Sequence, residues 1–258
     1  MKVVFVGAGR LATNLAPALC QGGVEIVEAW SRTEASASAL ASRLGCKASW
    51  GDVRSVSREA DLYLISVADA ALCDVVKALH PGREEALMAH TAGSMPLSLF
   101  ADAGHRRGAV FYPLQTFSKQ RQVDFSRVHF FIEAAQTQDV RSLEDLALRL
   151  TPPENIHRTS SADRRCLHLA AVFACNFANH CCTLADEVLS QAQLPFEAML
   201  PLIEETVAKL HEMPPAQAQT GPAARGDKNV MGTHLAMLAD KPRLQKIYRM
   251  LSESIMDK

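Results

Sequence analysis

The chain has 258 residues, 48% hydrophobic and 21% charged, enough to bury a sizeable core and, at this length, to divide into two domains. A net charge of −1 excludes a nucleic acid or an anionic membrane surface held by bulk charge. Seven cysteines, an odd number with no C-x-x-C pair and no metal-ligand spacing, argue for reduced thiols, a cytoplasmic protein and no bound metal.

Residues 3–6 form an apolar, β-branched run too short for a helix core and suited to a buried parallel strand. Gly7, Ala8, Gly9, Arg10, Leu11 and Ala12 follow at once, and Leu11, Leu15 and Leu19 then recur on one helix face. Strand, glycine turn and helix give Gly7-x-Gly9-x-x-Ala12, the pattern of a turn that cradles a dinucleotide diphosphate. Gly7 permits the turn, Gly9 lets the ligand approach the backbone, and Ala12 lets helix and strand pack closely.

Residues 24–30 read as a second strand, ending in Ser31 and Arg32. A hydroxyl and a guanidinium there suit the 2′-phosphate of NADP, whereas NAD needs an acidic side chain near this point. Glu28 is the competing candidate for NAD, but it falls inside the strand. Beyond it, residues 34–44 predict a helix, 46–50 a short strand, 53–56 a helical turn and 61–67 a buried strand. Val67, Ala68 and Asp69 come just past that strand, which places them beside the dinucleotide of a doubly wound sheet. A helix is expected over 70–79, a strand over 86–91, a helix over 97–103 and a strand over 109–112 ended by Pro113. A strand over 128–134 and a helix over 140–150 complete the alternation, which describes a parallel sheet covered on both faces.

Pro152 and Pro153 break that rhythm. Residues 163–191 lack Gly and Pro and predict one long helix, followed by helices over 195–211, 229–238 and 243–256 with a loop at 213–222. Residues 167–185 carry no Asp, Glu, Lys or Arg and are long enough to cross a bilayer. They also hold His168, Asn176, Asn179 and His180, so we read a helix buried in protein between subunits, with no membrane partner. The expected division is residues 1–156, a dinucleotide-binding domain, and 157–258, a helical substrate and dimerisation domain.

Hydride transfer needs a substrate held at the nicotinamide and a group for the accompanying proton. His90, at a strand's C-terminal end, is either that group or a polar residue packing the strand end. His168, Asn176 and Asn179 fall within about 80° of one another on a regular helix and either line a polar cleft or pair across subunits. Arg225 is placed either to clamp a substrate carboxylate or phosphate or, with Asp227, to lock a domain interface. His234 is a weaker third member of that group, and Gln115 and Thr116 are candidates to line the cleft from the sheet side.

Several stretches together resemble one group of proteins: Gly7-Ala-Gly-Arg-Leu-Ala12, Ser31-Arg32, Ser66-Val-Ala-Asp69, His90-Thr-Ala-Gly-Ser94, Pro113-Leu-Gln-Thr-Phe117, Asn176-Phe177 and Thr220-Gly-Pro-Ala-Ala-Arg-Gly-Asp227. This group is the Rossmann-like proteins carrying a C-terminal domain of unknown function 2520, within the 6-phosphogluconate dehydrogenase and pyrroline-5-carboxylate reductase-like superfamily. The resemblance implies a Rossmann domain followed by an all-α, 6-phosphogluconate dehydrogenase C-terminal-like domain in an NADP-binding homodimer. It implies an NADP-dependent oxidoreductase of a small polar substrate, with deazaflavin as a candidate co-substrate; the alternative is a non-catalytic NADP-binding or sensing protein. Two departures stand out. The superfamily's hydroxyacid dehydrogenases carry a catalytic Lys four residues before an Asn, and counting back from Asn176 reaches Val172. Tyr112 stands where a His is expected before Pro113.

Overall fold

The computed structural model describes residues 1–257. Contacts divide the chain into two compact units, Met1–Cys175 and Asn176 onward. The first holds an eight-stranded sheet in the order β3-β2-β1-β4-β5-β6-β7-β8. The strands are β1 (Lys2–Val6), β2 (Glu25–Ser31), β3 (Lys47–Trp50), β4 (Leu62–Ile65), β5 (Leu87–His90), β6 (Gly108–Leu114), β7 (His129–Ala134) and β8 (Ile156–Arg158). β1 to β6 run parallel, β7 is antiparallel to β6, and β8 is parallel to β7. Helices α1 (Ala12–Gln21), α2 (Glu34–Leu44) and α5 (Thr137–Ala147) cover one face; α3 (Asp69–Leu79) and α4 (Ser98–Asp102) cover the other.

β1 shows why a central strand reads as an unbroken apolar run. Val3 and Phe5 point into the cluster that holds Leu15, Leu19 and Phe111, while Val4 and Val6 point into the one that holds Tyr63, Val76 and Phe100. All four are fully buried, and each such side chain stabilises the fold by roughly 1.5–3 kcal/mol.

Three local expectations need correction. Pro113 does not end β6, which continues to Leu114 in register with β7. β5 stops pairing with β6 at Val110, so the missing N–H of Pro113 falls where that side of the strand has no partner. The helix expected over 140–150 begins at Thr137 and ends at Ala147; Asp139, fully buried in its first turn, binds Arg107 at 2.5 and 3.3 Å. β8 was not expected from the sequence at all. Its three residues are too few to show a period and are recognisable only by pairing with β7.

The long helix forms, but not as one regular α-helix. α6 (Ser161–Ala171) passes into a π-helical stretch, Val172–Phe177, and then into α7 (Ala178–Gln191). Wider i→i+5 turns interrupt the 3.6-residue repeat, so the angle reckoned from His168 to Asn176 and Asn179 does not carry through. The boundary between the compact units falls inside this stretch. By length and composition the helix could cross a membrane, and none of its most apolar window is buried within this chain.

The second unit continues with α8 (Leu200–Glu212), α9 (Pro215–Ala218), α10 (Lys228–Met237) and α11 (Pro242–Met256). The loop expected over 213–222 therefore contains one helical turn, which Pro215 starts without losing a needed N–H. Among the described residues of this unit, the buried hydrophobic side chains are Ala223, Met231 and Leu244.

Candidate dinucleotide and proton-transfer site

The strand order reverses between β1 and β4, and the loops after both strands lie at the C-terminal edge of the sheet. This is the crevice where doubly wound sheets take their ligands. Gly7 N donates to Trp30 O at 2.8 Å, and Ser66 N donates to Val6 O at 2.8 Å, so the loops after β1, β2 and β4 converge. Gly7 has φ +115°, and a Cβ there would lie 2.7 Å from the carbonyl carbon of Ser66. Only glycine fits.

At Gly9 the nearest atom to an added Cβ is Ser66 O at 3.9 Å, which leaves the approach to the turn open. The N–H groups of Gly9, Arg10, Leu11 and Ala12 have no acceptor among the described residues. Four orphan donors at the start of a helix form a cradle for an anion. Gly9 and Arg10 are exposed, and Ala12 is fully buried where α1 meets the sheet.

At the neighbouring strand, Ser31 ends β2 and Arg32 follows it exposed, with no ion-pair partner among the described residues. Glu28 is 1% exposed, and its Oε2 accepts from Ser57 N at 3.0 Å and pairs with Lys47 at 3.5 Å, while its Oε1 is buried without a partner among the described residues, so the carboxylate is held inside the sheet rather than at the strand's end. Val67 and Ala68 lead into α3. Asp69 starts that helix and accepts a hydrogen bond from Ser94, which joins the loops after β4 and β5. The residues present therefore fit a dinucleotide: donors for the diphosphate, and an exposed cation without an ion pair among the described residues at the end of β2.

The other candidates separate. His90 is fully buried, stacks on Phe100 at 5.7 Å, and accepts at Nδ1 from Ala92 N at 3.2 Å. Burial, reinforced by the nearby Arg164 cation, holds its imidazole down at a pKa of about 3. It is a neutral packing group, the second of its two readings. Gln115 and Thr116 are exposed at the start of the loop after β6. That loop is fastened to α1 by Asn14, which donates to Ser118 O at 2.8 Å and accepts from Val123 N at 3.2 Å.

His168 meets Tyr112. The Tyr112 Oη lies 3.1 Å from His168 Nδ1, with the rings edge to face at 6.2 Å. A Cβ on Gly93 would come within 2.6 Å of the same Nδ1, so the imidazole is wedged between the phenol and the backbone after β5. Behind them Arg164 is fully buried, binding Glu133 and the Met95 carbonyl. Ser161 donates to Glu133 at 2.8–3.0 Å through its N–H and hydroxyl, and its oxygen accepts from Leu97 N at 2.9 Å. These bonds dock the first turn of α6 on the sheet. The sequence reading missed Tyr112 as a site residue, although its place before Pro113 had singled it out; Arg164 and Glu133 left no signal.

Asn176, Asn179, Arg225 and Asp227 belong to the second unit. Asn176 lies in the π-helical stretch and Asn179 in the first turn of α7, both exposed. Arg225 is exposed, whereas Asp227 caps α10 by accepting from Val230 N at 3.1 Å. His234 is taken by Tyr248 Oη at 2.8 Å. A cavity of about 920 Å³ lies between α4 and the start of α6, lined by Leu97, Phe100 and Arg165. It holds none of the orphan donors.

Fold and site together define a Rossmann domain, doubly wound about a dinucleotide turn, followed by a helical domain. Residues 2–92 match the family model for coenzyme F420-dependent NADP oxidoreductases, and residues 128–255 match a domain of unknown function, DUF2520. A crystal structure from Bacteroides fragilis, named “putative NADP oxidoreductase”, is 48% identical over 100% of this chain and 98% of that one, with a TM-score of 0.93. A Thermotoga maritima protein is 20% identical over 99% and 97%, with a TM-score of 0.71. An imine reductase from Myxococcus stipitatus, in complex with NADP+, is 16% identical over 100% and 92%, with a TM-score of 0.68. The last two likenesses concern the fold. No curated protein matches the chain. The chain belongs to the family that joins this NADP oxidoreductase-type Rossmann domain to DUF2520.

Proposed function

We propose that the protein is an NADP-dependent oxidoreductase that transfers hydride to or from a small polar substrate. The observation that carries this reading is the set of four orphan N–H donors at the Gly7–Ala12 turn, one loop away from the unpaired cation of Arg32. The turn holds the diphosphate, with Val67, Ala68 and Asp69 beside it, while Ser31 and Arg32 take the 2′-phosphate. Bound there, NADPH supplies the hydride. His168 supplies the proton at the substrate atom next to the one that receives it. On the sheet unit, Gln115 and Thr116 are the further candidates for substrate contact; on the helical unit, taken by itself, Asn176, Asn179 and Arg225 are the candidates, with Asp227 fixing the start of α10.

The protein acts as a cytoplasmic homodimer in this reading. The second unit buries few of its apolar side chains, and Leu202, Leu210, Met237 and Met250 are between 49% and 66% exposed, more apolar surface than a lone soluble chain usually shows. A helical unit of the 6-phosphogluconate dehydrogenase type would cover them with a second copy.

Titration with NADPH and NADH tests the cofactor, and NADPH oxidation across imines, keto acids and deazaflavin tests turnover. Tight NADPH binding with oxidation by one of these classes is expected; failure to bind either coenzyme refutes the proposal. The second reading is a non-catalytic NADP-binding or sensing protein. It is favoured by Val172 in the place of the superfamily's Lys and by the absence of lysine between Lys119 and Lys209. Binding without turnover on the whole panel would select it.

A further inference from the structure

We infer that Tyr112 is the positioning residue that fixes which nitrogen of His168 carries the proton. Its phenol donates to Nδ1 and keeps the N–H at Nε2. The inference rests on His168 being the proton-transfer group proposed above, and it assigns a role to a side chain outside that proposal.

Tyr112 is 8% exposed, and His168 Nδ1, at 3.1 Å, is its hydrogen-bond partner among the described residues. Burial pushes the phenol above its ordinary range, opposed by the nearby Arg164 cation, so the hydroxyl keeps its hydrogen at neutral pH. Were Nδ1 protonated instead, it would donate to the phenolic oxygen, and the phenol's own hydrogen would be left nearly buried without an acceptor among the described residues. Nδ1 is therefore the acceptor and Nε2 the donor. Nε2 has no partner among the described residues, and the residue is partly exposed, so this hydrogen is free for a substrate.

Gly93 holds the arrangement from the other side. An added Cβ would meet the imidazole at 2.6 and 2.7 Å, so the ring reaches the phenol only because residue 93 lacks one. Arg164 completes it. Its guanidinium is fully buried and acts on Tyr112 as a positive charge.

The proton transfer then balances. Nε2–H gives its proton to the substrate heteroatom as the neighbouring carbon receives hydride. The phenolic proton moves to Nδ1, so the imidazole stays neutral, and the phenolate faces Arg164. Solvent returns one proton to Nε2 while Nδ1 hands its own back to the phenolate. One proton is consumed per hydride transferred.

Long-range proton–nitrogen NMR on the full ¹⁵N-labelled chain tests this, with the His168 signals assigned by their loss in His168→Asn. The wild-type protein should show the Nε2–H tautomer alone. Tyr112→Phe, which keeps the ring, should give a mixture of the two tautomers. Gly93→Ala should do the same with the phenol intact. A wild-type His168 protonated at Nδ1, or a pattern unchanged in Tyr112→Phe, would overturn the inference. NADPH titration of the same samples separates the two ideas: binding without the tautomer defeats this inference alone, and the tautomer without binding defeats the cofactor reading alone.

Discussion

In the proposed function, the choice between two coenzymes comes down to one side chain, Arg32. It is exposed and forms no ion pair among the described residues, so its charge is available to a phosphate. Removing a charge-assisted contact of this kind costs about 1.5–3 kcal/mol. Arg32→Ala should therefore weaken NADPH by roughly 10- to 150-fold and leave NADH unchanged, as read by calorimetric titration. Gly7→Ala should act on the fold instead, because φ +115° and the Ser66 carbonyl both exclude a Cβ. A loss of about 2 kcal/mol or more in urea unfolding is expected.

His90 makes a prediction about acid. Its folded pKa of about 3 lies below the ordinary 6.5, so the unfolded chain binds the proton first. Stability is then full above pH 6.5 and falls as pH drops towards 3, with a slope of up to about 1.4 kcal/mol per pH unit from this group. Urea midpoints measured from pH 7 to 4 should show that fall, and His90→Gln should flatten it. An unchanged slope in the variant would place the effect elsewhere, for instance at His105, which burial also depresses.

Elements are joined here by buried charge as well as by apolar packing. The start of α6 is fixed to β7 and to the chain before α4 by Arg164, Glu133 and Ser161. Taking one partner from a buried pair leaves an uncompensated charge, which costs roughly 3–5 kcal/mol. Glu133→Ala should lose stability in that range and also shift the His168 signals, because α6 carries both Arg164 and His168. A variant of wild-type stability would show the pair to be dispensable. No sequence period announces such a contact. Glu133 and Arg164 are 31 residues apart, and each looks like any other charge near the end of an element. The same holds for β8, held to the sheet only through β7, and for Pro113, harmless because of where β5 stops.

At the scale of the whole molecule, the two units differ in how much they bury. The sheet unit has apolar clusters on both faces, whereas the helical unit leaves many large apolar side chains exposed. A second copy is the proposed cover, so light scattering should give twice the mass of one chain. Leu202→Glu, at a residue 62% exposed, should shift that mass towards the monomer. A wild-type chain that stays monomeric at micromolar concentration would remove the dimer.

Much of this protein follows from the order of its residues. The glycine turn after a buried strand, the arginine after the next strand and the βα alternation are local patterns, because backbone conformation and the direction of each side chain are set by near neighbours. The strand–turn–helix geometry proposed to hold the dinucleotide was therefore legible. Which polar residues meet was not. His90 and His168 look alike as isolated histidines, yet one is sealed against Phe100 and the other paired with Tyr112. Burial and hydrogen-bond partners are properties of the folded chain, set by contacts between residues distant in sequence, and only the tertiary structure could separate the two.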